Sequence, residues 1–154
     1  MQKITTFLMF PARAEEAVNL YVSLFKNARI TSLTRFESEP AQGAAMISFE
    51  IDGQEFHAMD GGPHFSFAQG MSLMVDCESQ EEVDKLYDTL AEGGEKQPCG
   101  WVMDKFGVSW QIVPTVLTQL MSDPDREKAR RVTEAMLKMY KIDIGELRRA
   151  YAEG

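Results

Sequence analysis

Apolar and polar positions follow two rhythms along this chain, and the same order of rhythms occurs twice. Lys3 to Phe10 is apolar and β-branched, which predicts a strand. After Pro11-Ala12-Arg13, residues Ala14, Ala17, Val18, Leu20, Tyr21, Leu24 and Phe25 recur at helical spacing, and Asn27-Ala28 is the expected helix end. Arg29 to Ser38 reads as a strand, Glu39 to Gly43 as a loop, and Ala44 to Ile51 as a strand. Asp52-Gly53 is hairpin chemistry, with Gln54 to Met59 as the return. The order is βαβββ.

Asp60-Gly61-Gly62-Pro63 opens a linker that runs to about Gln69. The order then begins again. Gly70 to Asp76 predicts a strand. Ser79 caps a helix with Glu82 at capping-box spacing, Val83, Leu86, Tyr87 and Leu90 form its apolar stripe, and Gly93-Gly94 ends it. Glu95 to Gln97 is a short segment. Cys99 to Pro114 is a hairpin turning through Asp104-Lys105-Phe106-Gly107, with glycine where a positive φ is needed. On the return strand Val108, Trp110 and Ile112 share one face, and Ser109, Gln111 and Val113 share the other. Gln111 is thus a polar amide on a sheltered strand, and such a group needs a partner.

Laid on each other without gaps, the halves match Thr6-Phe7-Leu8-Met9 with Ser72-Leu73-Met74-Val75, Glu15-Glu16 with Glu81-Glu82, Leu20-Tyr21 with Leu86-Tyr87, and Leu24 with Leu90. We read a duplication and an α+β fold. Each unit is a twisted antiparallel sheet with one face covered by its helix and the other still needing cover. Two such units side by side would curl into a half-open barrel around a concave surface suited to a small molecule. The expected division is 1–114 for the duplicated domain, with modules 1–60 and 70–114, and 115–154 for a helical extension. In that extension Ser122-Asp123-Pro124 reads as a helix start, Ala129, Val132, Met136 and Met139 as its apolar face, and Asp143 with Glu146 as a second capping box. This predicts two tail helices, packed on their own chain or on a second subunit.

Composition narrows the function. At 154 residues, with 44% hydrophobic and 26% charged content, the chain has enough material for a real core. A net charge of −8 argues against a sequence-independent grip on nucleic acid. The one basic cluster, Arg126, Lys128, Arg130 and Arg131, is interleaved with Asp125 and Glu127 and reads as a solvated helix face. No apolar run reaches the roughly 18 residues of a membrane span, and the N-terminus lacks the parts of a secretory signal. Cys77 and Cys99 make neither a disulfide framework nor a zinc set. The expectation is a cytoplasmic protein with reduced thiols.

Several segments together resemble a known family. They are Ser72-Leu73-Met74-Val75, Gln80-Glu81-Glu82-Val83-Asp84, Gly93-Gly94, Cys99-Gly100-Trp101 and Asp104 to Pro114. The chain is similar to the PhnB-like branch of the vicinal oxygen chelate superfamily, which includes glyoxalase I, bleomycin-resistance proteins and extradiol dioxygenases. The resemblance covers nearly the whole chain, tail included. It implies paired βαβββ modules, a homodimer, and the label 3-demethylubiquinone-9 3-methyltransferase. In the metal-dependent members four ligands, mostly His and Glu, come from the first and last strands of each half. The matching positions here are Thr6, His57, Ser72 and Gln111. Only His57 is a good ligand for a divalent transition metal, so no metal and no other cofactor is expected.

Other chemistry finds little support in the residues. Methyl transfer on a doubly wound fold needs a Gly-rich turn between the first strand and helix, whereas this junction is Pro11-Ala12-Arg13. No Gly-x-Ser-x-Gly elbow is present. His64 lies in the linker, and His57 could serve as a general base if it faces a cavity. The leading expectation is therefore a small-molecule-binding protein. Thr6, His57, Ser72 and Gln111 would supply polar contacts, with Trp101 and Phe56 as aromatic walls. The alternatives are an enzyme on the same fold, a methyltransferase or a metal-dependent lyase or isomerase, and a pure interaction module acting through its tail.

Overall fold

The computed structural model describes residues 2–153. The chain divides into two compact units, Met1–Phe67 and Ala68–Gly154. Each contains one four-stranded sheet backed by a helix.

In the first unit the elements are β1 (Thr6–Phe10), α1 (Ala14–Leu24), β2 (Ala28–Arg35), β3 (Ala45–Ile51) and β4 (Gln54–Asp60). The strand order is β1-β4-β3-β2, with β1 parallel to β4 and the other pairs antiparallel. Asp52 and Gly53 both have positive φ, 51° and 84°, the conformation of a two-residue turn whose twist matches the flanking strands. That turn pairs Ile51 with Gln54 and Ser48 with His57. One face of the sheet carries Leu8, Phe10, Ile47, Phe49, Phe56 and Ala58, which are buried, as are Ala14, Ala17, Val18, Tyr21 and Leu24 of α1. The helix has no side-chain cap from its own N-cap residue, Arg13. Asp60, at the end of β4, instead accepts the Ala14 N–H at 2.8 Å.

The second unit repeats the order: β5 (Leu73–Cys77), α2 (Gln80–Ala91), β6 (Glu95–Lys96), β7 (Trp101–Met103) and β8 (Ser109–Pro114), arranged β5-β8-β7-β6. Ser79 Oγ accepts the Glu82 N–H, and Glu82 reaches back to the Glu78 N–H, so the capping-box reading holds with the return bond one residue earlier. Gly94 admits no side chain, because a Cβ there would sit 2.1 Å from the Met103 carbonyl oxygen. The β7–β8 turn is knotted by Asp104, only 2% exposed. Its carboxylate accepts the Phe106 and Val108 N–H groups at 2.9 and 3.0 Å and the Trp110 indole N–H at 3.0 Å.

Two expectations need correction. The gapless match of the halves slips by one residue. Three residues join β1 to α1, but two join β5 to α2. The helix starts, Ala14 and Gln80, keep the expected offset, while the strand counterpart of Phe10 is Cys77 and that of Phe7 is Met74. A one-residue slip exchanges the faces of a strand, so Thr6 and Ser72 are not equivalent. The tail has three helices, not two: α3 (Thr115–Met121), α4 (Arg126–Met136) and α5 (Ile144–Ala152). The helix start moves as well. Asp125 caps α4 by accepting the Glu127 and Lys128 N–H groups, while Asp123 accepts the Asp125 N–H and the Tyr151 hydroxyl.

The tail packs on the second module. Val113, Leu117, Val132, Ile142 and Leu147 form one buried cluster. Gln80 holds the Ile142 carbonyl and the Ile144 N–H with its two amide atoms. Lys141 bridges Asp84 and Asp88.

Candidate functional site

In both sheets, strand alternation sends every second side chain away from the covering helix. On the first sheet that face carries Phe7, Met9, Met46, Ser48, His57 and Met59. Ser48 Oγ lies 2.9 Å from His57 Nδ1, and the Phe7 ring lies 5.9 Å from the imidazole. Ser48 and His57 are paired directly across β3 and β4. The hydroxyl engages Nδ1, so Nε2 is the ring nitrogen outside that bond.

On the second sheet the corresponding face carries Met74, Trp101, Met103 and Gln111, with Gln111 opposite both Met74 and Trp101. The Gln111 amide donates to Ser72 Oγ at 2.9 Å, which supplies the partner that its position on a sheltered strand requires. Its carbonyl oxygen is left for another donor. The ladders make His57 and Gln111 equivalent: each is the third residue before the end of the last strand pairing, and each faces the first strand at Phe7 or Met74.

Of the residues singled out from sequence, His57 lies on the open face of the first sheet, and Ser72, Gln111 and Trp101 lie together on that of the second. Thr6 does not join His57. It pairs with Phe56 and shares the face of Leu8 and Phe10, turned toward α1. Phe56 is 6% exposed and stacked on Phe49 with centroids 5.1 Å apart, so it is core rather than a wall. The residues missed are Ser48, Phe7 and Met74. Counting back from Asp52-Gly53 places Ser48 opposite His57, so the signal for Ser48 was in the hairpin turn.

The donor set is poor for a divalent transition metal. Besides hydroxyl and amide groups and one imidazole, the faces carry Glu50 and Glu55 on the first sheet, with Glu50 paired to Arg29, and Asp76 on the second. Among the described residues no three His, Cys, Asp or Glu side chains are gathered to hold an ion. Cys77 offers these faces no reactive thiol: it is buried at the core end of β5, and burial, followed by the charges of Glu82, Asp76 and Glu78, pushes its thiol up to about 12. Among the described residues no helix is long and apolar enough to cross a membrane.

A solved PhnB protein of Bacillus cereus, named for 3-demethylubiquinone-9 3-methyltransferase, is 40% identical over 73% of this chain and 99% of its own, with a TM-score of 0.65. Protein PA1353 of Pseudomonas aeruginosa shares the fold at 21% identity over 74% of this chain and 98% of its own, TM-score 0.63. So does the fosfomycin resistance protein FosX of Listeria monocytogenes, solved with Mn(II) and sulfate. It is 13% identical over 73% of this chain and 91% of its own, TM-score 0.52. No curated protein matches the sequence. The family model described as 3-demethylubiquinone-9 3-methyltransferase matches residues 2–113, which leaves the tail outside a resemblance expected to include it. With that match and the Bacillus relative, the chain belongs to the 3-demethylubiquinone-9 3-methyltransferase family, the PhnB-like branch of the vicinal oxygen chelate superfamily.

Proposed function

We propose that the protein binds a small, partly aromatic or apolar molecule against an open sheet face. The observation that carries this reading is the pair of uncharged polar couples, Ser48–His57 and Ser72–Gln111, each beside an aromatic ring, Phe7 or Trp101. Such surfaces offer apolar contact with a few directed polar atoms, as ligand sites do. The family resemblance supports a homodimer in the cytoplasm. Trp101 is half-buried on the open face, whereas Trp110 is 2% exposed, so quenching by hydroquinone, a small aromatic diol, reads the site. Saturable quenching that weakens about tenfold in Gln111→Leu, with the melting temperature unchanged, is the expected result. A variant that merely unfolds, or one that binds as well as the parent, defeats the reading.

The family's description supports a second reading, methyl transfer. The β1–α1 junction, Pro11-Ala12-Arg13, provides no Gly-rich cradle for adenosylmethionine. Saturable binding of adenosylmethionine by calorimetry would favour this enzyme reading over simple binding, and stoichiometric metal by elemental analysis would favour a lyase or isomerase.

A further inference from the structure

The two modules differ at the end of the sheet where the first and last strands finish. In the second module that end is filled. Gln80, at the start of α2, holds the main chain of residues 142 and 144; the Cys99 and Gly100 N–H groups bond to the Met139 and Tyr140 carbonyls; and Val113 lies in the tail cluster. Within the first unit the same elements are arranged differently. The β1–α1 junction, the start of β3 and the end of β4 instead surround a hollow of about 390 Å³, walled on its far side by the Pro40-Ala41-Gln42 loop.

The walls are Pro11, Ala12, Pro40, Ala41, Ala44 and Met59, which are apolar, with Asp60 as the one charged side chain. Asp60 Oδ1 accepts the Ala14 N–H, and Oδ2 retains its accepting capacity. No Lys, Arg or His lines the hollow. The nearby Arg13 and Arg35 are drawn to Glu16 and Glu15. These two ion pairs cancel, so the charge of the hollow is that of Asp60 alone, partly offset by the α1 N-terminus that it caps.

We propose that this hollow is a second binding site, separate from the Ser48–His57 couple, for a small apolar amine. The hydrocarbon body takes the place that tail side chains take in the other module, and the ammonium group bonds to Asp60. The volume falls within the range of small-molecule pockets, and the single carboxylate sets the selection against anions.

The test uses the full chain, labelled with ¹⁵N, and three probes of one shape: benzylamine, benzyl alcohol and benzoate. Benzylamine is expected to shift the amides of Ala12, Ala41, Gln42, Ala44, Gly61 and Gly62, about tenfold more tightly than benzyl alcohol, and benzoate to shift none. Asp60→Asn keeps an oxygen for the Ala14 N–H and removes the charge, so it should erase the preference for the amine. Ala41→Trp, on the exposed loop, should block all three probes with the fold intact, and decides the matter if the asparagine variant fails to fold. Shifts centred elsewhere, equal binding of the three probes, or no shifts at millimolar benzylamine overturn the proposal.

Discussion

The first module and the second share an order of elements and a ladder register, yet each finishes its sheet by different means. The first closes its β3–β4 hairpin with two residues of positive φ and caps α1 from the end of β4. The second builds its turn around a buried carboxylate and covers the end of the sheet with three further helices. The two modules have in common what the sheet needs, its register and its buried face. Turns and sheet ends are free to diverge, because many local solutions satisfy the same backbone groups.

The largest effect is expected at Asp104. Asp104→Ala strips partners from two buried amides and the Trp110 indole, and should cost about 4 kcal/mol. Hydrogen exchange should show the loss in residues 73–153, with the first unit keeping its protection. Equal loss in both units would mean that they melt as one. Ile142→Ala, at a fully buried position of the tail cluster, should cost about 3 kcal/mol by urea unfolding and expose the end of the second sheet. A near-neutral result would show that the tail is not part of that core.

The thiols separate by environment. At pH 8 the native chain should take up one equivalent of iodoacetamide quickly, at Cys99, while Cys77, held near 12 by burial, reacts only on denaturation. Peptide mass spectrometry reads this directly, and rapid labelling of Cys77 would contradict its place in the core. The smallest effect concerns the clasp on the tail. The Gln80 hydrogen bond, and then Lys141, hold the Asp84 carboxyl below its ordinary range. A depressed carboxylate contributes stability above its unfolded value and loses it as the pH falls through its folded value. The tail should therefore loosen below about pH 4, by less than about 1 kcal/mol given the exposure of the pair. Asp84→Asn should flatten that part of the pH profile.

Much of the fold was legible because period-2 and period-3.6 patterns leave few alternatives when turns such as Asp52-Gly53 and Asp104 to Gly107 punctuate them. The Gln111 face followed from alternation alone. Arithmetic does not carry across a junction: helix identities such as Tyr21 with Tyr87 set an offset that the preceding strands do not share, and that offset places Thr6 on the wrong face. The first tail helix, α3, lacks a side-chain cap and follows Pro114 without a loop, so no start signal marked it. The partnership of Asp104 with Trp110 joins residues six apart around a turn, a span that neither periodicity detects.

Cys99 and Gly100 both adopt left-handed backbone, φ 64° and 84°, and this turns two successive amides outward to the Met139 and Tyr140 carbonyls. The tail is thus gripped by its main chain at that point. The exposed side chain of Tyr140 can change identity without releasing the grip, whereas a β-branched residue at 99 would oppose the conformation that makes it. The appended helices therefore have latitude to acquire new surfaces while the joint that carries them stays the same.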